Sequence, residues 1–265
     1  MKKYLIILVL FNTLNYAYAE TKKLPFLQGS NFIAPKEKLE KLTLQSEKVP
    51  KNFQSQDIVE LYEKLEEKFP FTKGEFETTD DFNNKFTNEN IGNDIYVSSI
   101  DNIGSNLKYS ADHEYFTYKP FHEIKDSNKI SIFSKLIEGK PSEGQNAYGA
   151  KAIISNKFFK SYNLDLGKSL DIASEIIFGV PRDIAKNIKP LISAVIFYKL
   201  RINERAAASY YETGNRLIYK SHFVTKPTIT EPEHITYLSQ YIYAEGIEIW
   251  IYNKDTGEII RKRKN

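Results

Sequence analysis

The sequence predicts an α+β fold: a short N-terminal helical segment followed by a mainly antiparallel β domain with one inserted helix. Three observations predict it. Apolar residues recur at helical spacing over residues 57–68, the period changes to two from about Asp94, and turn chemistry separates the alternating runs. The expected organisation is a signal peptide over 1–19, a linker and N-terminal helical segment over 20–90, and a β-rich domain over 91–265.

Lys2 and Lys3 precede a short apolar run, and Ala17-Tyr18-Ala19 fits the small-x-small rule for cleavage before Glu20. The run is about half of the ~20 residues a bilayer-spanning helix needs. No later stretch is long and apolar enough to span, so no transmembrane segment is expected after cleavage. Residues 20–52 read as a linker punctuated by Pro25, Pro35 and Pro50. Within it, Leu39 and Leu42 have helical spacing while Leu42 and Leu44 have strand spacing, which leaves the local structure open.

Ile58, Leu61, Tyr62 and Leu65 fall at i, i+3, i+4 and i+7, one apolar stripe of a helix that Pro70 ends. Ser55, Gln56 and Asp57 stand where a cap belongs, and Asp57 and Glu60 suit the positive end of the helix dipole. A second helix is expected after Thr78-Thr79-Asp80-Asp81, with Phe82 and Phe86 sharing a face and Phe76 closing over Phe82 as a hydrophobic staple. Glu77 is expected to face water.

Alternation then runs through 95–100, and 106–118 continues it with Leu107, Tyr109, Ala111, His113 and Tyr115 on one side. Segments 129–137 and 146–155 read as a strand pair joined by turn residues 138–144. One helix interrupts the β region. Pro181 suits its first position, Ile184 and Ile188 share a side, and Pro190 stops it before a buried strand over 191–201. Towards the C-terminus, 212–215 is a turn between tyrosine-rich strands. Strands 247–252 and 258–263 flank a five-residue loop with Gly257 where positive φ is expected.

Composition bounds the function. The chain lacks cysteine, which excludes disulfides, thiolate metal sites and a cysteine nucleophile. Its formal charge is +3, and cleavage after Ala19 would remove two of the lysines. A near-neutral mature chain offers no electrostatic case for nucleic acid. The four histidines include His113-Glu114 and His122-Glu123, residue types that can ligate zinc. Neither dipeptide extends to the H-E-x-x-H spacing that puts two imidazoles on one helix face. No metal and no cofactor are expected. Ser105-Asn106-Leu107-Lys108 matches S-x-x-K without its companion motifs. Elbow, P-loop and dinucleotide fingerprints are absent from the sequence, so no catalytic set is assigned.

Aromatic residues make up 14% of the chain, mostly 18 tyrosines and 17 phenylalanines. On alternating strands, one face of such residues builds cross-strand pairs and the other presents amphipathic rings to a partner. The candidate binding residues are Tyr115, Tyr118, Tyr210, Tyr241 and Tyr243.

Residues 73–82, Lys-Gly-Glu-Phe-Glu-Thr-Thr-Asp-Asp-Phe, resemble a K-x-E-F-E-T-x-x-E/D-F/Y motif of exported bacterial proteins of uncharacterised function. The tail 248–260, with Trp250 and a Thr256-Gly257 loop, resembles their closing hairpin. The resemblance implies an envelope setting and no assigned activity. The expectation is therefore a periplasmic or secreted, non-enzymatic module that binds another envelope or secreted protein. A hydrolase of envelope polymers using His113, Glu114 and His122 is the enzyme alternative, and a structural component of an envelope assembly is a third.

Overall fold

The computed structural model of the protein describes residues 40–87, 91–100, 103–120, 128–145, 148–167, 175–206, 209, 211–228 and 230–265. These lie in one compact unit, Lys38–Asn265. His122 and the expected cleavage site after Ala19 fall outside the described residues, as does Tyr210. No helix among the described residues is long and apolar enough to cross a membrane.

The described chain is mostly β. Two helices come first, α1 (Ile58–Lys68) and α2 (Thr79–Thr87). Strands β1 (Tyr96–Ile100), β2 (Leu107–Ser110), β3 (Tyr115–Tyr118), β4 (Lys129–Glu138), β5 (Ser142–Gln145), β6 (Lys151–Asp165) and β7 (Ile176–Gly179) follow. After helix α3 (Arg182–Ile188) come β8 (Ile192–Leu200), β9 (Glu212–Gly214), β10 (Ile218–Val224), β11 (Glu233–Asn253) and β12 (Ile259–Lys264).

Strand β11 organises the large sheet. Its first half pairs with β10 antiparallel and with β6 in parallel, in register from Glu233↔Ser155 to Tyr243↔Asp165. Its second half pairs with β8 and β12, and the β8 pairing contains a register shift between Gly246 and Glu248. The expected antiparallel domain is therefore a mixed sheet. Parallel strands need a long crossover, and the chain between β6 and β11 contains β7, α3, β8, β9 and β10. β2, β3 and β7 form a separate three-stranded antiparallel sheet.

Helix α1 forms where its stripe predicted. Asp57 caps it, its Oδ1 accepting from the Val59 and Glu60 amides at 2.8 and 3.3 Å. Ile58, Leu61, Tyr62 and Leu65 are all buried, and Tyr62 meets Tyr162 of β6 edge-on with centroids 5.8 Å apart. Thr78 starts α2, its hydroxyl accepting from the Asp81 amide at 3.1 Å. The anchor of α2 is Phe86, fully buried and stacked on Phe69 at 5.3 Å.

Several expectations are corrected. Phe76 is 96% exposed and does not staple Phe82. Glu77 does not simply face water: it pairs with Lys85 at 2.6 Å and accepts from the Gly74 amide at 3.1 Å. The single strand expected over 106–118 is a hairpin, with Ser110 opposite Tyr115 and Glu114 at φ 52° in its turn. Alternation misled there because Ala111 and His113 continue the period while reversing the chain. In α3 the buried residue is Ala185, and Ile184 is exposed. β6 runs ten residues past the expected end, because 156–165 carries bulky residues on both faces and shows no clean alternation.

The last stretch of the expected linker also packs. Glu40 bridges Phe53, and Lys48 bridges Glu258. Leu42 and Val49 are buried over Val195, Phe197, Trp250 and Tyr252, closing the outer face of the β8/β11/β12 sheet. Gly257 permits this approach. Its φ is +73°, and a Cβ there would lie 2.1 Å from the Val49 carbonyl oxygen. The Lys262 ammonium then sits 3.7 Å from the Trp250 ring centroid.

Candidate functional site

The four strands β4, β6, β11 and β10 lie side by side, so their registers define rows across the sheet. On one face β6 and β11 carry Tyr162, Gln240, Leu164 and Ile242, which pack under α1 as core. The opposite face carries the odd-numbered residues of β6 and β11, and it gathers most of the aromatic candidates.

Four adjacent rows of this face build the site. The first is Leu136, Phe159, Tyr237 and Phe223, flanked on its outer side by Glu138, Lys157 and Ile235. Leu136 and Phe223 are 52% and 53% exposed, and the Tyr237 ring lies 5.8 Å from Phe159 and 6.1 Å from Phe223. The next row is four serines: Ser134, Ser161, Ser239 and Ser221. Ser131, Asn163, Tyr241 and Tyr219 follow, and then Lys129, Asp165 and Tyr243. The register shift in β4 between Ser131 and Phe133 brings Ser134 opposite Ser161.

Small hydroxyl side chains thus floor a trough between two aromatic walls. The floor is wired: Asn163 Nδ2 donates to Ser161 Oγ at 3.1 Å, and Ser161 Oγ donates to Ser239 Oγ at 3.1 Å. The inner wall is held by charge and stacking. Tyr219 and Tyr241 stack at 4.5 Å with an interplanar angle of 12°. The Lys129 ammonium lies 4.6 Å from the Tyr241 centroid and 5.4 Å from that of Tyr219. Tyr219 donates to Asp165 Oδ2 at 2.7 Å, and Arg201 lies over Tyr243 at 5.6 Å. Burial, and then the Asp165 carboxylate, push the Tyr219 and Tyr243 phenols above their ordinary range. They are hydrogen-bonding groups at neutral pH, not nucleophiles.

The structure brings Tyr241 and Tyr243 together and adds Tyr219, Tyr237, Phe159 and Phe223, which sequence reasoning had not chosen. Their signal is the register, which no single segment carries. Tyr115 and Tyr118 belong to the three-stranded sheet, away from this face. Tyr118 is 1% exposed, and burial raises its phenol. It is a core residue and presents nothing to a partner.

Of the three residues of the hydrolase alternative, two are described, and His122 lies outside the described residues. His113 and Glu114 sit in the β2–β3 turn. His113 Nδ1 meets Ser110 Oγ at 3.1 Å, and Glu114 Oε1 accepts from the Arg182 amide at 3.3 Å, at the start of α3. Among the described residues, no three His, Asp or Glu side chains gather where they could hold a metal ion. A groove of about 900 Å³ opens between 40–45, 54–57 and β1, with Glu40, Asp57, Glu60 and Asp94 facing Lys41 and Lys64. Its groups serve the fold: Asp57 caps α1, and Ser55 Oγ accepts from the Ser99 amide at 2.9 Å. It reads as a seam, and the tyrosine face is the candidate site. Comparison with protein-family models, with curated proteins and with solved structures finds no match for this chain.

Proposed function

We propose that this chain is exported and acts as a non-enzymatic binding module, engaging another envelope or secreted protein through the tyrosine face of its large sheet. The signal-peptide pattern of residues 1–19 and the resemblance at 73–82 support export to the periplasm or beyond. The row Leu136–Phe159–Tyr237–Phe223 carries the binding reading. It is a contiguous aromatic and aliphatic stripe whose ends are half exposed, beside a row of hydroxyls. Rigid aromatic anchors next to adaptable hydrogen-bonding groups are what a protein interface uses.

Two measurements test the reading. Intact-mass analysis of the protein recovered from its host's envelope or medium should give a chain beginning at Glu20, and a chain retaining Met1 would refute export. The mature chain should then capture one stoichiometric protein from envelope extract. The double variant Leu136→Ser/Phe223→Ser should lose that capture while melting within a few degrees of the parent, because both side chains are exposed. Capture that survives the double variant would remove the tyrosine face from the function.

A further inference from the structure

Among the described residues, the helix-bearing face of the same sheet continues past α1 without cover. Tyr162, in the row under α1, is fully buried. The next row outward holds Lys135, Lys160, Leu238 and His222, and the row beyond holds Ile137, Phe158, Thr236 and Val224. Phe158, Ile137 and Val224 are 47%, 44% and 37% exposed. They are part of no helix-covered core, although the strands bearing them are apolar on both faces at this level, as strands sandwiched between two layers are.

The charges beside this row are unbalanced. Lys135 and Lys160 stand directly opposite one another on adjacent strands, an arrangement that costs stability by like-charge repulsion. The lysine nearer the helix, Lys220, has a carboxylate from α1 for company, Glu66 at 3.7 Å. Among the described residues no carboxylate pairs with Lys135 or Lys160. Lys160 instead lies over the Tyr162 ring at 5.0 Å.

We infer that this ledge is the seat of an amphipathic, acid-flanked helix supplied by a protein partner, laid beside α1 on the same face. The inference rests on reading the chain as a protein-binding module but uses the face opposite the tyrosines. Three features select the occupant. α1 already shows what this face accepts: a helix with an apolar stripe on the sheet and a glutamate to its lysine. From Tyr162 to Asn156, six residue steps along β6 extend about 20 Å, room for a further helix of about 10 Å diameter. The bare apolar row with two uncompensated ammonium groups alongside calls for apolar side chains flanked by carboxylates.

The test uses the mature full-length chain and two synthetic 18-residue helical peptides with the same leucine stripe, one flanked by glutamates and one by lysines. Fluorescence anisotropy should show the glutamate peptide binding about tenfold more tightly, the equivalent of ~1.4 kcal/mol, with the gap closing in 0.5 M salt. Lys135→Glu/Lys160→Glu should reverse the preference, and Phe158→Ser should weaken both peptides. Lys135→Ala/Lys160→Ala, which should abolish the preference, serves if the reversal fails to fold by circular dichroism. Equal binding of both peptides, or a preference untouched by the lysine variants, overturns the inference. So does charge-dependent binding to phosphatidylglycerol vesicles without peptide binding, which would assign the ledge to a lipid surface. A dimer in sedimentation that the lysine reversal dissociates would assign it to a second copy and overturn it as well. Leu136→Ser/Phe223→Ser should leave peptide binding intact. Equal binding of the two peptides by a parent chain that still captures its partner therefore refutes the ledge alone, whereas failure of the parent chain to capture any protein refutes the broader reading.

Discussion

Tyr219 of β10 reaches across β11 to donate its phenolic hydrogen to Asp165 of β6, at 2.7 Å. The bond ties two strands that do not pair with each other, and it sets the inner wall of the trough. Asp165 also accepts from the Gly167 amide at 3.0 Å, so the carboxylate holds the end of β6 as well. Tyr219→Phe should destabilise the fold by about 1.5–3 kcal/mol, the range for a hydrogen bond to a charged group. Urea melts of Tyr219→Phe, Asp165→Asn and the double variant give the coupling. Additive losses would mean that the two side chains do not act on each other.

Alkaline pH should unfold the protein through its tyrosines. Burial raises the phenols of Tyr62, Tyr118, Tyr198 and Tyr219 above the ordinary value of 10.0. A group raised on folding contributes stability that is fully present below its unfolded value and is lost as pH rises toward its folded value. Stability should therefore hold to about pH 10 and fall above it. In a spectrophotometric titration these four phenols should ionise only as the circular dichroism signal collapses. Smooth ionisation of all 18 tyrosines in a still-folded chain would contradict the burial.

The motif at 73–82 should divide sharply between its phenylalanines and their neighbour in α2. Phe86→Ala removes a fully buried ring stacked on Phe69 and should cost about 3–5 kcal/mol. Phe82 is half buried and meets Phe86 edge-on at 5.7 Å, so Phe82→Ala should cost less. Phe76→Ala should leave the melting temperature unchanged, since that ring is 96% exposed. Thermal melts of the three rank them directly. A Phe76→Ala variant as unstable as Phe86→Ala would restore the staple.

The lead-in segment hangs on one glycine. Gly257→Ala forces a Cβ against the Val49 carbonyl at a positive φ and should destabilise by more than about 1 kcal/mol. It should also loosen 40–53 before the rest of the fold opens. Hydrogen exchange at the Val49 amide, bonded to the Gly257 carbonyl at 2.8 Å, reads this locally. Unchanged protection at Val49 would show that the contact is not needed.

The tyrosine face shows how far a site of this kind can be read in advance. Tyr241 and Tyr243 are visible in sequence because they sit two apart on one strand. Phe159 and Phe223 are not, because their neighbours Phe158 and Val224 are equally apolar and alternation does not say which side each takes. The serine row has no sequence signature. Its members come from four strands, and the β4 register shift decides that Ser134 meets Ser161. Tyr118 fails in the opposite way: it resembles an exposed strand tyrosine but is buried in the core.

By itself the sequence determined the elements whose cause is local. The α1 stripe with its Asp57 cap, the Thr78 start of α2 and the Gly257 loop depend on residues within a turn or two of one another, so spacing is enough to specify them. Only the tertiary structure decided the rest: the parallel pairing of β6 with β11, the hairpin at 111–114, the packing of Leu42 and Val49 over Trp250, and the rows across both faces of the sheet. These depend on which distant segments pair and in what register. A one-residue slip would send every side chain of a strand to the other face, and that choice is made by the core that closes around Tyr162, Leu164 and Ile242.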